Sequence, residues 1–137
     1  MKVLAMARED ASAALTREKP LDPNGQNARL RIYIGEDKRH GDQPLYQAIV
    51  LKARHLQMAG ATVMRGTLGY GRSTRLHTTE VIFSEDLPVV VEIVDSHEKI
   101  QSFVALLAGL NDIGLVTCDP VRVLLSPPIA SPSDRSA

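Results

Sequence analysis

An α+β fold with elements in the order β, α, β, β, α, β is predicted by three features of the 137-residue chain. In LRIYIGE, Leu30, Ile32 and Ile34 alternate with Arg31 and Tyr33, which is the period of a strand with one buried face. Residues 45–56 and 100–110 instead repeat apolar side chains every three to four positions, the period of a helix packed along one stripe. ATVMRG, LPVVVEIVD and LVTCDPVRVLL then supply three further β-branched segments, two between the helices and one after the second.

Taken in order, residues 1–28 read as an extension ending in the turn-rich linker KPLDPNGQN, with weak helical character between Val3 and Leu15. After the first strand and the polar turn EDKRHGD, Pro44 falls in the first turn of a helix, and Leu45, Ala48, Ile49, Ala53 and Leu56 form its inner stripe. Gly60 is expected to stop this helix in a left-handed conformation. In the third strand Val89, Val91 and Ile93 share one face, and Val90 and Val94 make the other face apolar as well. Asp95 followed by Glu98 reads as a capping box for the second helix, whose stripe is Ile100, Phe103, Val104, Leu107 and Leu110. Gly109 and Gly114 frame its exit, and Pro120 assigns the last strand to an edge or a bulge. The Pro- and Ser-rich residues 126–137 have little to bury and read as a mobile tail. The folded unit spans residues 29–125, and its element order is the ferredoxin-like one: an antiparallel sheet with both helices on one face.

Composition narrows the function. Sixteen basic and sixteen acidic residues cancel, so no global field recruits nucleic acid or an anionic membrane, and an anion site must be local. Cys118 is the only cysteine, which excludes an intrachain disulfide and suits a reducing, cytoplasmic setting; the expectation for its thiol is a buried, inert one. Charge arrives at Arg8 before a signal-peptide core could form, and no run approaches the ~18 apolar residues of a membrane span. With two Phe, three Tyr and no Trp the core must be aliphatic. Burial of the second sheet face against other copies of the chain would add on the order of 10 kcal/mol before association costs, at roughly 25 cal/mol per Å².

RGTLGYGRSTRLHTTE, between the second and third strands, is too long and polar for a hairpin turn. Gly66, Gly69 and Gly71 allow backbone N–H groups to approach an anion, and Arg65, Arg72 and Arg75 offer guanidinium forks, a combination suited to a phosphoryl ligand. The segment matches neither GxGxxG nor GxxxxGK[ST], and on composition alone a solvated connector with turn glycines explains it equally well. His40, His55, His77 and His97 are dispersed without metal-ligand spacing, so no metal site is expected. His77 lies near Ser73, Thr74 and Thr78 but no carboxylate is fixed to orient it, so no catalytic residue is assigned and the chain is not read as an enzyme. Lys38–His40 reads as a solvated turn.

RIYIGE, GDQPLYQAIV, AGATVMRGTLGYG, RLHT, SEDLPVVVEIVDSHEKI and GLVTCDPVRVLL together resemble the PII-like family known as domain of unknown function 190, which is similar to the nitrogen regulatory PII signalling proteins. The resemblance implies a homotrimeric regulator with ATP, ADP or AMP as regulatory ligand in clefts between subunits and a long loop that contacts a target protein. Carried over by position, Gly69, Gly71 and Arg72 fall at the loop base and Arg122 lies near a basic pair on the last strand; with Arg75, one of the loop arginines, these are the five candidate ligand-binding residues. Tyr70 takes the place of a PII phenylalanine and is expected to pack at the loop base. The chain departs from PII at Ser73, where a magnesium-holding glutamine is expected, at Val89, where a lysine follows the Leu-Pro pair, and at Leu115 in NDIGLV, where the phosphate loop has lysine. A second reading is a ligand-independent module docking on a membrane transporter or a fluoride-channel-type protein; no nucleic-acid partner is expected.

Overall fold

In the computed structural model the described residues are 21–71, 77–78 and 87–126. The 1–20 extension, Arg72, Arg75, most of the loop beyond Gly71 and the 127–137 tail lie outside them. Four strands form the main sheet: β1 (Asn27–Gly35), β4 (Ala61–Arg65), β7 (Pro88–Ser96) and β8 (Val116–Val121), in the order β4-β7-β1-β8 with every neighbouring pair antiparallel. Two helices, α1 (Leu45–His55) and α2 (His97–Leu107), pack on one face, as the ferredoxin-like order requires. Short ladders missing from the sequence reading are β2 (Arg39–His40) with β3 (Gln43–Pro44), and β5 (Leu68–Gly69) with β6 (His77–Thr78).

The core follows the predicted alternation. Leu30, Ile32 and Ile34 on β1 lie beside Val89, Val91 and Ile93 on β7, in the register Leu30–Ile93, Ile32–Val91 and Ile34–Val89. Leu45, Ile49 and Ala53 from α1 and Ile100, Phe103, Leu106 and Leu107 from α2 close over them, all buried. At roughly 1.5–3 kcal/mol per fully buried large aliphatic or aromatic side chain, this layer is the main favourable contribution to folding.

Helix ends differ from expectation in instructive ways. Pro44 is the residue before α1 rather than inside its first turn, and the orphan N–H of Leu45 donates to the Lys38 carbonyl at 2.8 Å. The left-handed stop is Gln57 (φ 56°), not Gly60. Gln57 N–H donates to Arg54 C=O and Met58 N–H to Ala53 C=O, both at 3.0 Å, and the Met58 side chain is buried, which together make a Schellman motif. At α2 the cap is Ser96, whose Oγ accepts from Lys99 N at 3.3 Å, rather than Asp95. Asp95 is buried one residue earlier: its carboxylate accepts Ala59 N at 2.8 Å and Ser96 N at 2.7 Å and lies 3.5 Å from Lys99 Nζ. Lys99 is buried too and donates to the Gln57 carbonyl at 2.7 Å, so one polar cluster binds the exit of α1 to the start of α2.

β1 begins at Asn27, earlier than the apolar alternation announces, because the buried Asn27 amide donates to the Asp22 carbonyl at 2.8 Å and so extends the strand with a polar residue. β8 is an edge strand, and Pro120 opposite Ala28 is tolerated there. Cys118 is exposed, not buried: it sits opposite Leu30 but on the outer strand, beyond the cover of the helices. The face turned away from the helices is mixed rather than valine-rich. Val90 and Val94 are half-buried there, but Arg31 pairs with Glu92 at 2.9 Å and Arg29 with Asp119 at 2.8 Å across neighbouring strands. The hydrogen bond from Arg31 to Glu92 raises the arginine's pKa above its ordinary value. Among the described residues no helix is long and apolar enough to cross a membrane.

Candidate functional site at the base of the long loop

The loop leaves the sheet at its β4 edge, where local sterics fix its path. Gly66 N–H donates to the Pro88 carbonyl at 2.7 Å, and a Cβ on Gly66 would stand 2.8 Å from Pro88 Cγ, so the backbone passes closer to the proline ring than any side chain allows. A Cβ on Gly69 would be 3.2 Å from the same atom. Leu68–Thr78 and Gly69–His77 pairing then closes the neck of the loop, and Gly71 beyond it faces open space. Tyr70 is 71% exposed, so in a single chain it does not pack at the base as expected.

β1 ends beside this neck. Glu36 N–H donates to the Leu87 carbonyl at 2.9 Å, and the Glu36 carboxylate forms an ion pair with Arg65. On the other side of β1, Tyr33 N–H donates to the Leu115 carbonyl at 2.8 Å and Gly114 N–H to the Tyr33 carbonyl at 3.1 Å. A Cβ on Gly114 would collide with that carbonyl, so glycine is required for NDIGLV to lie against the strand. The neck and the 111–116 segment thus flank one end of the sheet, separated by about three strand spacings, or ~14 Å.

Gly69 and Gly71 belong to this end. Arg122 does not: it follows Val121, which is paired with Asn27, eight residues along β1 from Gly35. At ~3.3 Å per residue the two ends are ~26 Å apart, so one chain does not bring its candidate ligand residues together. Arg72 and Arg75 are outside the described residues. Among the described residues no group of His, Cys, Asp or Glu could hold a metal ion. Sequence reasoning noted Arg65 but missed its partner Glu36, because the glutamate follows an apolar strand and gives no sign of which element it meets.

An antiparallel four-stranded sheet with both helices on one face is the ferredoxin-like fold, and it is shared with a solved PII-like protein. The structure is similar to that of CPII, a nitrogen regulatory PII-like protein from Thiomonas intermedia K12 bound to ADP, AMP and bicarbonate, with a TM-score of 0.54 and 14% identity over 72% of this chain and 88% of that one. Residues 27–123 match the family model DUF190, described as an uncharacterized ACR, and the chain belongs to the DUF190 family. It is 35% identical to a UPF0166 protein of Aquifex aeolicus (strain VF5) over 96 residues, which are 69% of this chain and 90% of that protein. A UPF0166 protein of Methanocaldococcus jannaschii is 32% identical over 71 residues, 52% of this chain and 66% of its own.

Proposed function

We propose that the chain is a trimeric cytoplasmic regulator, not an enzyme, which binds an adenine nucleotide or related phosphorylated ligand between subunits and acts on a target protein through its long loop. The observation that carries this reading is the separation of the candidate residues. Gly69 and Gly71 sit at one end of the sheet and Arg122 at the other, so the set converges only if neighbouring copies contribute opposite ends. The ADP and AMP bound to CPII point to the ligand class. Half-buried Val90 and Val94, and the exposed Met64 and Leu125, give other copies apolar surface to cover.

Isothermal titration of the full chain with ATP, ADP, AMP and cyclic AMP tests the ligand. Saturable heat with at least one is expected, weakened by Arg72→Ala or Arg122→Ala; silence with all four removes the nucleotide from the account. Light scattering at micromolar concentration should give three times the 14.9 kDa chain mass. A second reading, ligand-independent docking on a membrane transporter or fluoride-channel-type protein, draws support from Leu68 and Tyr70, 61% and 71% exposed beside the loop neck. Target capture unchanged by nucleotide and by Arg72→Ala would favour it.

A further inference from the structure

Glu36 touches both strands from which the loop springs. Its backbone N–H is bonded to Leu87, the residue that returns the chain to β7, and its carboxylate is paired with Arg65, the last residue of β4. The next residue, Gly66, is bonded to Pro88, so the entry and exit of the loop are tied to each other and to β1 within a few residues. The two charged side chains differ in their surroundings: that of Glu36 is 16% exposed and that of Arg65 is 60% exposed. The carboxylate is therefore held in place by the fold, while the guanidinium is open to solvent and to any anion that arrives. A half-solvated pair of this kind contributes little to stability, so its partner can be exchanged at small cost. A phosphoryl group carries more charge than a carboxylate and accepts the same two-point hydrogen bonds from arginine.

We infer that Glu36 is the positioning residue of the loop neck and an intramolecular competitor for the ligand's oxyanion: it holds Arg65 while the neck is empty and yields it to a phosphoryl oxygen. The competitor half rests on the proposed function; the positioning half does not. When the exchange occurs, the Glu36 carboxylate loses its partner and faces a second anion, so its charge weakens binding even as its geometry aligns the neck.

Two measurements on the full chain separate the halves. Without ligand, trypsin should cut after Arg72 or Arg75 several-fold faster in Glu36→Gln and Arg65→Glu than in the parent, and the double variant Glu36→Arg/Arg65→Glu should return the rate toward the parent's. Equal rates in Glu36→Gln and parent, or no rescue in the double variant, overturn the positioning role. In ADP titrations Glu36→Gln should bind roughly 3- to 10-fold more tightly than the parent, and Arg65→Ala more weakly. An unchanged or weaker Kd in Glu36→Gln, or no binding in either protein, overturns the competitor role.

Discussion

The two ends of the sheet use the same chemistry for opposite purposes. At one end Asp95 accepts two backbone N–H groups and faces Lys99, with both side chains almost wholly buried. At the other, Glu36 anchors one side of the loop neck through its backbone and grips Arg65 with its carboxylate, and the arginine is largely solvated. A buried, fully bonded pair cannot be opened without stranding a charge in the interior, whereas an exposed one can change partners. The contrast separates a closure that keeps the helices on the sheet from a contact left open to solvent.

That comparison can be broken by substitution. Asp95→Ala leaves the Lys99 ammonium buried with only the Gln57 carbonyl, and should lower unfolding stability by about 3–5 kcal/mol in urea titration. Gly114→Ala drives a methyl group into the Tyr33 carbonyl and should cost about 1–3 kcal/mol while separating the 111–116 segment from β1, seen as lost protection of the Tyr33 amide in hydrogen exchange. Gln57→Gly relieves a non-glycine residue of its positive φ and should raise stability by about 0.5–1 kcal/mol, leaving ligand binding unchanged. Arg65→Ala should change stability by less than about 1 kcal/mol; a loss comparable to that of Asp95→Ala would erase the distinction between the two ends.

Much of the fold was legible because burial imposes periods on the chain. Val89, Val91 and Ile93 must alternate to face the helices, and Ile100, Phe103 and Leu107 must recur on one stripe to face the sheet, so the β, α, β, β, α, β order could be read from those positions. Polar determinants were less legible. Gln57 adopts the left-handed turn in place of a nearby glycine because the chain reverses immediately after Leu56, and no local propensity announces that. Asp95 and Ser96 exchange roles since the buried carboxylate is claimed by Ala59 and Lys99, contacts set by tertiary approach. Cys118 shares the parity of a core position yet is exposed, since parity says which face a residue takes and not whether the helices reach it. The site was legible only as residue types: glycines and arginines mark an anion-friendly loop, but the distance from Arg122 to Gly69 appears only when β8 is set against β1.

The claim that the site forms between copies is tested most directly by mixing two defective proteins. Arg72→Ala and Arg122→Ala each remove one side of the proposed cleft, so ADP titration of either alone should show little or no binding. Unfolded and refolded together in equal amounts, they should assemble trimers at random, so that about one quarter of all clefts pair an intact loop with an intact Arg122 from the neighbour, and binding should reappear at about that stoichiometry. Absence of recovery in mixed oligomers of confirmed composition, or full binding by Arg122→Ala on its own, would contradict a cleft completed by the opposite end of a second copy.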